Sequence, residues 1–194
     1  MRILELFSGT HSVGVVARSM GWEVVSLDLQ DATITCDVLE WNYRSYPPCE
    51  TFSNLRWAWV GRKLRRFGDV IVTPEMLDDD MLGRGLPILR KTEEIIEYFK
   101  PRFYIIENPR SGRMKDFLER PYVDVDYCRY GFAYRKSTRL WTNLPYVGKL
   151  CECKAKHAVA LGKAFSVTKA DKYRIPAPLV RELLEECLGD EGII

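Results

Sequence analysis

Near the start of this 194-residue chain, three short segments carry groups spaced for holding a ligand: the turn Phe7-Ser8-Gly9-Thr10-His11, then Asp28, then Asp37. Each closes a run of apolar or β-branched residues that reads as a strand. A glycine in a turn lets the backbone approach a ligand, and the N-terminus of a helix behind that turn favours a carboxylate. An acidic side chain ending the next strand can accept hydrogen bonds from both hydroxyls of a ribose, and one ending the third can face an adenine amino group. An Asp at a single strand end is most often a turn residue, and one glycine turn is commonplace. Three successive strand ends with complementary groups are more specific, and together they describe a site for a nucleoside that bears a carboxylate.

Other chemistry-bearing residues lie further along. Cys49 directly follows Pro47-Pro48, Glu107 opens a Glu-Asn-Pro triplet, and Arg139 ends the segment Arg135-Lys136-Ser137-Thr138-Arg139. Alone, a thiol after two prolines is most often an inert buried group, and Glu-Asn-Pro at a strand end is most often a turn. The run Arg62-Lys63-Leu64-Arg65-Arg66, interleaved with Trp57, Trp59 and Phe67, is the best candidate for contact with nucleic acid. Lys and Arg neutralise phosphates, and aromatic rings stack on exposed bases. Cys151, Cys153 and His157 offer three soft ligands for zinc. Their one-residue gap is tighter than usual zinc spacing and no fourth ligand is evident, so no metal is expected.

The elements that must position these residues alternate in βα fashion. Arg2–Phe7 reads as a strand, Ser12–Met20 as a helix capped by Ser12 and stopped by Gly21, Glu23–Leu29 as a second strand and Ala32–Cys36 as a short third. Strand, helix, strand at this spacing is the unit of a parallel sheet. Ser45–Phe52 reads as a loop, because two prolines forbid a central strand. Asp69–Thr73 reads as a strand, Leu86–Phe99 as a helix ended by Pro101, Phe103–Ile106 as a strand, and Arg113–Glu119 as a short helix. Val123–Tyr130 and Thr138–Leu144 read as two late strands, and Pro178–Leu188 as a closing amphipathic helix. The predicted fold is α/β with a doubly wound, mostly parallel sheet, in one domain spanning residues 1–194. With 46% hydrophobic and 29% charged residues the composition is ordinarily globular, and at net charge +2 any nucleic-acid surface must be a local patch. Six scattered cysteines, no secretory segment ahead of them and no apolar run near the ~20 residues that span a bilayer predict a soluble, intracellular protein.

In this order the segments LELFSGTHSVG, VVSLDL, CDVLEW, PPCETFS, IIENPRSGR, YCRYGFAYRKSTRLWTN and YRIPAPLV resemble the DNA cytosine-5 methyltransferases, closest to small viral or phage-like members. The resemblance touches both ends of the chain, and its most specific pieces are PPC, ENP and the Arg/Thr/Arg segment. It implies a Rossmann-like fold, S-adenosyl-L-methionine as cofactor and DNA as partner. By resemblance, Cys49 matches the nucleophile, Glu107 the carboxyl held at ring nitrogen 3, and Arg139 an arginine that steadies the flipped base or the active-site loop. Phe7, Ser8, Gly9, Thr10, His11, Asp28, Asp37 and Pro48 fall at the cofactor, and Pro176–Val180 packs back against its pocket. Residues 145–172 stand for a reduced recognition region.

Departures from that pattern are visible. Thr10-His11-Ser12 stands where further glycines are usual, the glutamine and first arginine of the late motif are replaced around Arg135–Ser137, and ENP replaces ENV. In the family the nucleophile loop follows a fourth strand on the far side of the first strand from the third. About nine residues separate Asp37 from Pro47. With five given to a strand, the remaining four reach at most ~14 Å, whereas the crossover needs roughly 22 Å. Either the fourth strand and its crossover are shortened or missing, or Asp69–Thr73 inserts as the fourth strand. The alternative function is therefore a catalytically inactive module that binds DNA or cofactor. An adenine amino-methyltransferase using Asn108-Pro109 is disfavoured because Arg110 and Ser111 follow.

Overall fold

The computed structural model describes residues 1–39, 49–154, 157 and 173–189, with the backbone alone for Cys49 and Glu50. Strands β1 (Arg2–Leu6), β2 (Glu23–Asp28) and β3 (Ile34–Thr35) form a parallel sheet with β2 central, in the register Leu6↔Leu27 and Asp28↔Thr35. Helix α1 (Ser12–Ser19) makes the return from β1 to β2 and closes at Gly21, where the Gly21 and Trp22 amides donate to Arg18 and Ala17. This is the predicted βαβ unit.

The start of α1 differs from the prediction. The residue before the helix is His11, in a left-handed conformation (φ 52°) with no side-chain cap. The orphan amides of Val13 and Gly14 donate instead to the two carboxylate oxygens of Glu5, at 3.2 and 3.1 Å. A buried strand residue thus supplies the anion that the helix N-terminus favours, which a serine hydroxyl alone would not.

The middle of the chain departs most. Cys49–Phe52 is a helical turn, α2, and not a loop. The residues of Asp69–Thr73 do not enter the parallel sheet. Strands β4 (Lys63–Leu64) and β5 (Val70–Ile71) pair antiparallel as a separate hairpin, with Val70 and Ile71 about half exposed. The β-branched run buries only Val72, too little to make a central strand, so it forms a separate hairpin. Helix α3 (Pro74–Asp80), which hydrophobic spacing does not reveal, starts at Thr73, whose hydroxyl accepts from the Met76 amide, with Pro74 in the first turn. A π-turn (Met81–Gly85) joins it to α4 (Leu86–Phe99). A side chain at Gly85 would collide with Thr51 and Phe52, so this glycine lets α2 sit against the turn.

The second half forms an antiparallel sheet in the order β6 (Ile105–Pro109), β8 (Ser137–Thr142), β7 (Tyr122–Asp126). The predicted late strand ends early, because Tyr127–Tyr130 coils into a 3₁₀ turn. The predicted short helix after Arg113 is a 3₁₀ turn, Arg113–Asp116. Helix α5 (Ala177–Gly189) closes the chain, and no helix among the described residues is long and apolar enough to cross a membrane.

Two helices tie the sheets together. Ile88 and Ile95 of α4 pack with Leu27, Leu4 and Leu6, while Leu89 packs with Phe52 and Trp141. Leu179 and Leu183 of α5 join Val125, Tyr127 and Leu140, while Val180 and Leu184 join Val16 and Ala17. Residues alternate faces along a strand, so helices cover both faces of each sheet.

Burial raises the Glu5 pKa above its ordinary 4.5, opposed by the Gly14 and Val13 amides and the charges of His11 and Arg18. A carboxyl whose pKa rises on folding holds its proton more tightly when folded. Its contribution is fully present below its unfolded value and is lost as pH rises through the folded one. Wild-type stability should therefore carry a downward component over that window, which Glu5→Gln removes. Urea unfolding midpoints at several pH values above and below 4.5 measure it, and an unaltered slope in Glu5→Gln would assign the titration to another group.

Candidate active site

The loop after β1 is strained. Phe7 (φ 59°) and His11 (φ 52°) both take left-handed conformations that side chains disfavour, and Gly9 (φ 41°) lies between them. Such strain persists where surrounding contacts over-determine it, often beside a ligand. Here the Phe7 amide donates to Leu27, the His11 amide to the Ser8 carbonyl, and the Gly9 amide to Asp28 Oδ2 at 2.8 Å. Asp28 also accepts from the Leu29 amide, and a carboxylate keeps further lone pairs for a ligand. Asp37 is buried, with Oδ1 taken by the Leu39 amide, and burial raises its pKa.

Three buried polar atoms in this region have no partner among the described residues: Ser8 Oγ, His11 Nδ1 and Asp37 Oδ2. Unpaired buried polar groups are costly, so their clustering at the ends of β1 and β3 marks a place built for a polar ligand. A narrow crevice lined by Phe7, Leu27, Asp28, Leu29, Cys36, Asp37 and Val38 opens there. The polar groups here are of the kinds that pair with a nucleoside cofactor, but the crevice itself has a volume of only about 10 Å³, so such a ligand would have to open it. The ligand's carboxylate does not have the α1 N-terminus to itself, however, because Glu5 already engages two of the first amides. The segment before α5 reaches this loop, with the Ile175 amide donating to Ser12 Oγ at 3.1 Å, and Thr10 bonded to the same hydroxyl.

Glu107 lies on β6, where buried Tyr127 donates its hydroxyl to Oε1 at 3.0 Å and the Lys136 ammonium stands 3.4 Å from the same oxygen. No described residue hydrogen-bonds Oε2. Tyr127 is wholly buried, and burial together with the Glu107 charge pushes its pKa well above 10, so it stays a donor. The turn α2, which begins at Cys49, packs against β6. Pro48 lies outside the described residues.

Arg139 is not beside Glu107. The register pairs Glu107 with Leu140, and pairs Arg139 with Asn108 and Asp124, so the two side chains leave opposite faces of the sheet. Arg139 forms a bidentate pair with Asp124, at 2.8 and 2.9 Å, and stacks 3.6 Å from the Tyr122 ring. It also lines an open depression of about 610 Å³ with Arg110, Lys115, Arg135, Ser111 and Ser137. That basic hollow escaped the sequence reading because its cations come from three separate segments. The side chain that does accompany Glu107 from the late motif is Lys136, the second residue of the region Arg135–Ser137 where the glutamine is replaced.

The expected nucleic-acid patch divides. Arg62, Lys63 and Arg65 are exposed on the β4–β5 hairpin. Arg66 instead binds Asp80 at 2.8 Å and stacks over Trp59 and Phe67. Asp80, 6% exposed, also faces Arg84 at 3.1 Å and the buried Arg56 at 3.8 Å. Arg56 in turn donates to the Leu77 carbonyl.

No family profile matches the chain. A curated protein of Frog virus 3 (isolate Goorha), named as a probable DNA (cytosine-5)-methyltransferase, is 38% identical over 221 aligned positions that cover 96% of this chain and all of that protein. The chain belongs to the DNA cytosine-5 methyltransferase family. The 221 aligned positions exceed the 194 residues here, so the relative holds at least 27 residues without a counterpart in this chain.

Asp80→Ala should cost up to about 3–5 kcal/mol, because it leaves the buried Arg56 charge with only Asp78 at 3.9 Å and takes a partner from Arg66 and Arg84, whereas Arg62→Ala and Lys63→Ala should stay within about 0.5 kcal/mol. Thermal unfolding reads the difference at roughly 2–4 °C per kcal/mol for a chain of this size. Equal effects would remove the division of the patch into structural and free halves.

Proposed function

We propose that this chain transfers a methyl group from S-adenosylmethionine to carbon 5 of cytosine in DNA, through a thiolate of Cys49, on a doubly wound Rossmann-like fold. The observation that carries the reading is the crevice at the ends of β1–β3, lined by Asp28 and by Asp37, whose buried Oδ2 has no partner among the described residues, as is true of Ser8 Oγ and His11 Nδ1 in the loop after β1. S-adenosylmethionine, when bound, supplies an electrophilic methyl group. Asp28 would accept from the ribose hydroxyls and Asp37 Oδ2 from the adenine amino group, as their positions at successive strand ends suit.

Carbon 5 of cytosine is a poor nucleophile. Addition of the Cys49 thiolate at carbon 6 makes the ring an enamine that can take the methyl group at carbon 5. A water then takes the carbon-5 proton, and the freed electron pair re-forms the carbon 5–carbon 6 double bond as the carbon 6–sulfur bond breaks, returning Cys49 as thiolate. Glu107 holds a proton at ring nitrogen 3 through Oε2, while Tyr127 and Lys136 keep Oε1 fixed. The target base must leave the duplex to reach these groups. Phosphates of the DNA meet Arg110, Lys115 and Arg135 in the basic hollow, with Arg62, Lys63 and Arg65 as a second strip.

Duplex DNA containing 5-fluorocytosine tests the mechanism, since fluorine blocks the final elimination. Wild type with labelled S-adenosylmethionine should form a labelled covalent adduct that Cys49→Ala does not form. No adduct from a protein that still binds the cofactor by calorimetry would replace the reading with that of a non-catalytic binding module. Separately, Arg110→Ala with Lys115→Ala should weaken DNA binding and lower the slope of log K against log salt by about 0.9 per lost phosphate contact. An unchanged slope would move the DNA path off this hollow.

A further inference from the structure

The 3₁₀ turn after β7 carries Cys128, and the chain that leaves β8 runs back alongside it. The Asp126 amide donates to the Lys149 carbonyl at 3.0 Å, the Cys151 amide donates to Asp126 Oδ2 at 2.9 Å, and the Lys149 amide donates to Tyr130 Oη at 3.1 Å. Lys149 Nζ reaches Glu182 of α5 at 2.7 Å. Gly148 lies so close to the Asp124 carbonyl and to Val123 and Val125 that any side chain there would collide. The backbone of 148–151 is therefore fixed against β7 by contacts that need no ligand.

That docking brings Cys151 and Cys153 to Cys128, and His157 completes the group. The three sulfurs and a ring nitrogen all lie within 4.8 Å of one another, and Cys151 Sγ is 3.4 Å from His157 Nε2. We propose that Cys128, Cys151, Cys153 and His157 bind one zinc ion in a structural, fully protein-ligated site. Tetrahedral zinc with Zn–S near 2.3 Å and Zn–N near 2.0 Å places its ligand atoms roughly 3.5–3.8 Å apart. The observed separations, up to 4.8 Å, exceed that spacing by only about 1 Å. Three thiols and an imidazole select zinc over magnesium or calcium, which take oxygen ligands. Four protein ligands leave no position for water, so the ion holds structure and takes no part in methyl transfer.

The sequence spacing hides the fourth ligand because Cys128 precedes the other three by more than twenty residues, with β8 between them in the chain. The short Cys151–Cys153 spacing is no obstacle once the opposite half of the coordination sphere comes from elsewhere. The ion would add to the backbone contacts of 148–151 a tie from Cys153 and His157 to the turn after β7, next to Tyr127, which holds Glu107.

Metal analysis of the full chain, purified under reductant and dialysed, tests the site, together with cobalt(II) substitution. Wild type should retain about one zinc per chain, and cobalt should give the intense visible absorption of a tetrahedral thiolate complex. Cys153→Ser changes an exposed side chain and should fold, yet weaken zinc binding by about 100-fold or more and bleach the cobalt–thiolate bands. Chelation should lower the melting temperature of wild type and leave that of Cys153→Ser unchanged. Wild type without stoichiometric zinc and without cobalt–thiolate bands overturns the proposal, as does a metal-free protein in which thiol counting finds two of these cysteines joined in a disulfide. Zinc retained undiminished by both Cys153→Ser and Cys128→Ser would equally overturn it.

Discussion

The second half of this protein is organised around one buried carboxylate. Asp126, whose side chain is fully enclosed, accepts from Arg135 Nε at 3.0 Å, from the Ser137 hydroxyl and from the Cys151 amide, while its own amide is spent on Lys149. Burial opposes its charge, but these donors outweigh burial and hold its pKa below the ordinary 3.8. Because the pKa is depressed on folding, the stabilisation is present above that ordinary value and fades as pH falls through the folded one. The same residue fixes the start of β8, the end of β7 and the returning segment. Tyr127 follows directly, and so the position of Glu107 depends on Asp126 staying charged and bonded.

Much of the N-terminal half was legible in the sequence, because a βαβ unit is written in local signals. Apolar runs gave β1 and β2, Gly21 the helix end, and the periodicity of Leu86–Phe99 gave α4 to the residue. What escaped was whatever depends on partners distant in sequence. Glu5 looks like an ordinary strand residue until Val13 and Gly14 turn back onto it. Helix α3 was masked by its acidic surface, although Thr73-Pro74-Glu75 is a cap followed by proline and an acidic first turn. Arg66 read as a free cation because Asp80 lies on another element. Arg139 was matched by resemblance to an arginine that steadies the flipped base or the active-site loop, and a register with Glu107 opposite Leu140 puts its side chain on the face opposite Glu107. Among the candidate site residues, those defined by strand ends came together, and those defined by motif spacing did not all do so.

The expectation that a fourth strand is shortened or missing bears on how the two sheets can act as one. Among the described residues no ladder joins β1–β3 to β6–β8, and Asp69–Thr73 does not supply one. A short strand's ladder is worth on the order of 5 kcal/mol net, at roughly 1 kcal/mol per hydrogen bond. Fully burying Ile88, Leu89, Ile95, Leu179, Val180, Leu183 and Leu184 contributes on the order of 10–20 kcal/mol at about 1.5–3 kcal/mol each. Helices α4 and α5 can therefore weld the sheets without a shared strand, each with residues committed to both halves. Side-chain packing of this kind fixes distance less sharply than a hydrogen-bonded ladder, which repeats at a set spacing. The separation between the crevice at Asp28 and Asp37 and the carboxyl of Glu107 is thus governed by helix packing, and substitutions in α4 or α5 should reach the chemistry without touching it.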